Sequence, residues 1–190
     1  KTETYAAIKF FVDNWRWKDV PFYVRTAKRM PTKVTEVVIH FKTPHHQLFK
    51  NQDIDQKDNK LIIRIQPDEG ILLKFGVKVP GQGFHVERAN LDFYYSSLAD
   101  TNVMDAYERL LLDAMQGDAT LYARADEVEA AWSFVDPILD YWKKDSNVNT
   151  YGYSVGTWGP KNSDDLIEDD YGWRNPGEHL TDDSGFCIIK

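Results

Sequence analysis

Leu61-Ile62-Ile63-Arg64-Ile65-Gln66-Pro67-Asp68-Glu69-Gly70-Ile71-Leu72-Leu73-Lys74-Phe75-Gly76-Val77-Lys78-Val79 is the stretch on which the fold turns. Leu61, Ile63 and Ile65 oppose Arg64 and Gln66. Ile71, Leu73, Phe75, Val77 and Val79 oppose Lys74 and Lys78. Both runs have the period of two that a strand imposes on its side chains. Pro67-Asp68-Glu69-Gly70 between them favours a turn, and so an antiparallel hairpin. The same pattern extends outward. Residues 33–43 set Val37, Ile39 and Phe41 against Glu36, His40 and Lys42. Residues 5–12 and 20–26 are apolar and aromatic, joined by a turn containing Asn14 and Asp19, and Leu91, Phe93 and Tyr95 oppose Asn90, Asp92 and Tyr94. Six strands are therefore expected, with one wetter face.

Past residue 100 the period changes. Met104, Tyr107, Leu110, Leu111, Ala114 and Met115 fall at helical spacing, and Gly117 is placed to end the segment. Asp126 with Glu129 resembles a capping box ahead of a stripe of Val128, Trp132, Val135, Leu139 and Trp142, and Pro137 is expected to kink this second helix. Strands followed by helices imply an α+β fold: a large, mostly antiparallel sheet with helices packed on one face, residues 1–190 forming one domain. Residues 51–60 read as a connection. Residues 161–183 are acidic and read as a short helix followed by a mobile tail.

A chain of 190 residues, 42% hydrophobic and 14% aromatic, has room for one domain that needs neither disulfide nor metal to hold a core. No apolar run is long enough to span a bilayer, so no membrane partner is expected. The single Cys187 and the start at Lys1-Thr2-Glu3-Thr4, without a leader, favour a cytoplasmic protein. A net charge of -7 repels polyphosphate chains and argues against nucleic acid as a partner.

Few motifs carry chemistry. Gly81-Gln82-Gly83-Phe84-His85-Val86 imitates a dinucleotide loop, but Val86 stands where the third glycine belongs. His45 and His46 are adjacent, with no carboxylate or cysteine at ligand spacing, so they read as a polar turn. Cys187-Ile188-Ile189-Lys190 ends in lysine, unlike the usual prenylated termini. One cluster stands out in an acidic chain: Lys18, Arg25, Lys28, Arg29 and Lys33, opposed only by Asp19. Lys28 and Lys33 flank Arg29-Met30-Pro31-Thr32 between two strands, where both ammonium groups can converge on one small dianion such as a phosphate monoester. Composition alone allows the plainer reading of solvated loop lysines. Gln66 adds a neutral donor and acceptor on the face of Arg64, as would any solvated sheet face.

Asp13-Asn14-Trp15-Arg16-Trp17-Lys18-Asp19-Val20-Pro21-Phe22, Arg25-Thr26-Ala27-Lys28, Arg64-Ile65-Gln66-Pro67-Asp68-Glu69 and Asp105-Ala106-Tyr107-Glu108-Arg109-Leu110-Leu111-Leu112-Asp113 follow one another in order. Together they resemble the carboxy-terminal domain of the glucose-6-phosphate dehydrogenase family, across about residues 4–160. The resemblance implies a chain lacking the amino-terminal coenzyme domain, inactive alone. The full-length enzyme oxidises D-glucose 6-phosphate to 6-phosphoglucono-1,5-lactone with NADP or NAD, and its catalytic base and assisting Asp lie in the missing domain. It implies that Lys28, Lys33 and Gln66 contact the substrate. Family members form homodimers or tetramers through this domain's sheet. Some relatives also hold a second, structural NADP, and Arg25, Arg64, Lys74 and Asp92 match part of its site. Val34, Val38, Leu72 and Trp158 depart from that pattern, so no nucleotide is expected to bind here. A free-standing dimerisation or binding module is the competing reading.

Overall fold

The hairpin implied by the alternation forms as β4 (Lys60–Gln66) and β5 (Gly70–Lys78), antiparallel, with Leu61 opposite Leu73, Ile63 opposite Ile71 and Arg64 opposite Gly70. The computed structural model describes residues 2–43, 59–81, 83, 85–98, 105–145, 148–168, 171–177 and 179–181. Asp68 takes the left-handed conformation in the turn, at φ 50°. Gly70 is required by close approach, because a Cβ there would lie 2.8 Å from the Phe93 carbonyl oxygen. β3 (Thr35–His40) pairs with β4, and β6 (Val86–Tyr94) pairs with β5, giving the order β3-β4-β5-β6.

β1 (Tyr5–Phe11) and β2 (Pro21–Ala27) form a separate antiparallel pair. Their connection turns where Asn14 Oδ1 accepts from the backbone N–H groups of Arg16 and Trp17. Asp19 follows in the left-handed region at φ 62°. The six described strands thus divide into a two-stranded and a four-stranded sheet within an α+β chain. Short 3-10 helices occupy Tyr95–Leu98 and Lys161–Leu166.

Residues 99–150 form a second compact unit carrying α1 (Ala106–Gln116) and α2 (Ala125–Lys144). Asp105 caps α1 by accepting from the Tyr107 N–H, and Gly117 ends it in the left-handed conformation at φ 74°, as its position implies. The capping box expected for α2 does not form. Arg124 is the cap residue and makes no side-chain cap bond, while Asp126 lies inside the first turn and pairs with Arg124 at 2.9 Å. The helix runs on through Pro137.

The alternation in β3, β4 and β5 is as the sequence implies, but the burial is reversed. Val37, Ile39 and Ile65 are 46%, 40% and 48% exposed, whereas Arg64 on the wetter face is 2% exposed. The physical reason lies at the other end of the chain. Acidic composition pointed to a mobile tail after the 3-10 helix, yet residues 171–177 and 179–181 lie against that polar face. Leu180 is fully buried with Ile62 and Leu72, and Val38 and Tyr94 pack against the three. Full burial of a leucine side chain is worth about 1.5–3 kcal/mol, enough to hold a short segment on a sheet. Residues 182–190, His45, His46, Gln82, Phe84 and Cys187 lie outside the described residues.

Candidate functional site

The link between β2 and β3 passes from one sheet to the other and carries Lys28 at its start and Lys33 near its end. Its backbone is held at several points. The Lys28 N–H donates to the Thr4 carbonyl at 2.8 Å. The Tyr153 hydroxyl lies 2.8 Å from the Lys28 carbonyl and 2.9 Å from the Thr4 carbonyl, sharing its proton between them. Gly156 donates to the Arg29 carbonyl at 3.0 Å, and Arg29 itself adopts the left-handed region at φ 54°. Pro31, within the link, is buried. Above this fixed backbone the Lys28 and Lys33 side chains are exposed, and neither ammonium joins an ion pair with a described residue.

Gln66 ends β4 opposite Thr35 at the start of β3, so the register brings it to the same end of the sheet as Lys33. It too is exposed. Exposed ammonium groups on a loop whose backbone is already hydrogen-bonded have donors to offer an anion. The cations supply charge-assisted hydrogen bonds, and the backbone need not be ordered on binding.

Lys18 and Arg29 are exposed, whereas Arg25, Arg64 and Lys74 are engaged. Arg25 on β2 lies between two indole rings, its guanidinium carbon 5.1 Å from the Trp158 centroid and 4.9 Å from that of Trp173. It donates to the Arg174 carbonyl at 2.6 Å, to Asn175 Oδ1 at 3.0 Å and to the Trp158 carbonyl at 3.4 Å. Burial holds the Arg25 guanidinium below its ordinary value, partly offset by Tyr5, Asp164 and Glu36. Arg64 on β4 donates to the carbonyls of His179 at 3.1 Å and Gly177 at 3.5 Å and lies 3.7 Å from Glu36. Lys74 on β5 donates to the Thr181 carbonyl at 3.3 Å. Asp92 is exposed on β6, opposite Leu72.

Sequence reasoning missed Arg174. Its guanidinium pairs with Glu36 and donates to the Leu180 carbonyl at 2.7 Å, so Arg64 and Arg174 share one carboxylate. Trp173, Tyr153 and Leu180 were missed as well; Trp173 and Arg174, an aromatic and a cation within an acidic stretch, were the available signal. Among the described residues no group of three or more His, Cys, Asp or Glu side chains could hold a metal ion, and no helix is long and apolar enough to cross a membrane.

The family model described as glucose-6-phosphate dehydrogenase, C-terminal domain, matches residues 1–174. The chain is 56% identical over 176 residues to the glucose-6-phosphate 1-dehydrogenase of Aggregatibacter actinomycetemcomitans, covering 92% of this chain and 35% of that protein. It is 50% identical over 191 residues to the enzyme of the same name from Treponema pallidum, covering 99% of this chain and 37% of that protein. Among solved structures, the glucose-6-phosphate 1-dehydrogenase of Mycobacterium avium superposes with a TM-score of 0.76 at 33% identity, over 92% of this chain and 36% of that one. A glucose-6-phosphate dehydrogenase in complex with its substrate glucose-6-phosphate gives a TM-score of 0.78 at 32% identity, over 91% and 35%. The chain thus spans about a third of the length of the curated relatives it matches.

Proposed function

Because this chain belongs to the glucose-6-phosphate dehydrogenase C-terminal domain family, we propose that it is the part of such a dehydrogenase that grips the substrate's phosphate. The whole enzyme would oxidise D-glucose 6-phosphate at its anomeric carbon to 6-phosphoglucono-1,5-lactone. Hydride would pass to NADP or NAD held by an amino-terminal coenzyme domain, which also supplies the catalytic base. On this reading Lys28 and Lys33 bind the phosphoryl group and Gln66 reaches the substrate beside them. No residue of this chain transfers a proton or hydride, so the chain alone is inactive. The work takes place in the cytoplasm, in keeping with a single cysteine.

The observation that carries the reading is the pair of solvated ammonium groups on a backbone fixed by Thr4, Tyr153 and Gly156. The test is Lys28→Ala in the full-length dehydrogenase. Loss of a charge-assisted hydrogen bond of about 1.5–3 kcal/mol corresponds to a KM for glucose 6-phosphate raised about ten- to a hundredfold, with kcat much less affected. An unchanged KM contradicts the assignment.

Two further readings follow. Assembly into a dimer or tetramer runs through the sheet, supported by the exposed apolar side chains of Val37, Ile39, Ile65 and Leu91 on β3, β4 and β6. Light scattering that finds only monomer at micromolar concentration contradicts it. No structural nucleotide binds at Arg25, Arg64, Lys74 and Asp92. In support, Arg25, Arg64 and Lys74 already donate to acceptors in residues 158–181, and Val38 and Leu72 surround Leu180. Titration with NADP should give no saturable heat attributable to this chain; saturable binding abolished by Arg64→Met counts against it.

A further inference from the structure

We infer that residues 171–177 and 179–181 act as an intramolecular strap that fastens the two sheets together and thereby sets the position of the lysine-bearing link. The positioning part rests on the reading of Lys28 and Lys33 as phosphate ligands. The strap crosses β2, β3, β4 and β5, making a directed contact with each. The Trp173 ring meets Tyr23 of β2 edge-on at 6.4 Å, and its indole N–H donates to the Ser163 carbonyl at 2.9 Å. Asn175 and the Arg174 carbonyl accept from Arg25 on β2. Tyr171 lies 4.4 Å from the His40 ring and Arg174 pairs with Glu36, both on β3. The Gly177 and His179 carbonyls meet Arg64 on β4, and Thr181 meets Lys74 on β5. Leu180 closes the row between Ile62 and Leu72.

No ladder of backbone hydrogen bonds joins the two described sheets. The strap supplies what the ladder does not. Arg25 stands three positions before Lys28 and Glu36 three positions after Lys33, and Arg174 engages both, through its carbonyl and its guanidinium respectively. One residue thus holds the two strand ends from which the link departs. Neutral carbonyls are suited to this, because each guanidinium N–H has a fixed direction and an acceptor out of place leaves a buried donor unpaired.

The test compares Leu180→Ala, Arg174→Lys and Lys28→Ala with wild type in the full-length dehydrogenase, reading amide hydrogen exchange across residues 21–40 together with KM and kcat. Leu180→Ala loosens the anchor without touching the link; exchange in β2 and β3 should rise about tenfold or more, and KM for glucose 6-phosphate should rise several-fold with kcat nearly constant. Arg174→Lys keeps the charge but loses the fork, so an intermediate effect on both readouts is expected, and it carries the test should Leu180→Ala not fold. Unchanged exchange in both strap variants overturns the strap. Faster exchange with unchanged KM, while Lys28→Ala still raises KM, overturns the positioning claim alone. An unchanged KM in Lys28→Ala instead overturns the lysine reading and the positioning claim with it.

Discussion

Two sets of cations in this chain have opposite fates. Lys28 and Lys33 keep their ammonium groups in solvent, on a link whose backbone is fixed from below. Arg25, Arg64, Lys74 and Arg174 each donate to carbonyl oxygens from the C-terminal part of the chain. Residue type does not separate the sets, since both contain lysine. What separates them is whether a strap of backbone acceptors passes over them. Cations covered in this way act in stability, because burial of a charge is tolerated only while its partners stay in place. Lys28 and Lys33, left uncovered, are the ones proposed to meet a ligand.

The sharpest way to break that comparison is to delete residues 171–190. This uncovers Ile62 and Leu72 and leaves the 2% exposed Arg64 without its carbonyl acceptors, so a loss of about 3–5 kcal/mol in urea unfolding is expected. A deletion mutant with wild-type stability would make the strap an ornament. Leu180→Ala is a smaller version of the same change, since it keeps the carbonyls and removes only the anchor; about 2–4 kcal/mol should be lost, as for other buried leucines. Lys33→Ala probes the other set. Its stability should stay within about 0.5 kcal/mol of wild type while KM for glucose 6-phosphate rises, and a clear drop in melting temperature would place Lys33 with the structural cations.

The smallest effect is expected at Lys9, whose half-buried side chain on β1 meets the exposed Glu168 at 2.8 Å. The hydrogen bond to Glu168 raises Lys9 above its ordinary 10.5, burial opposing it only in part. A raised lysine contributes fully below its unfolded value and loses that contribution as pH rises through the folded one. Wild type should therefore exceed Glu168→Gln slightly at neutral pH, and the two should converge in melts well above pH 10.5.

Most of the strand framework was legible because a two-residue period survives in any single strand, as in Ile71, Leu73, Phe75 and Val77 of β5. Which face would be covered was not legible. The polar face of β3 to β5 is buried by residues more than 90 positions downstream of Lys74, as its bond to Thr181 shows, and no local pattern encodes so distant a partner. Gly117 was read correctly because a left-handed cap is a local matter, whereas the capping box at Asp126 failed because the cap is Arg124, two residues earlier, which leaves Asp126 inside the first turn. Lys28 and Lys33 stood out as a local charge anomaly, whereas Gln66 was implied only by the family resemblance, and the β3–β4 pairing that brings it to the end of the sheet near Lys33 is not a local signal. Arg174 did not, since its meaning depends on Glu36 from the opposite end of the chain.

Amide exchange of the full-length dehydrogenase with and without saturating glucose 6-phosphate tests the division of the cations most directly. Slower exchange on adding substrate at residues 26–35, with residues 60–64, 70–78 and 171–181 unchanged, is the predicted result. Protection centred on Arg64, Lys74 and the strap, with the lysine link unaffected, would contradict it.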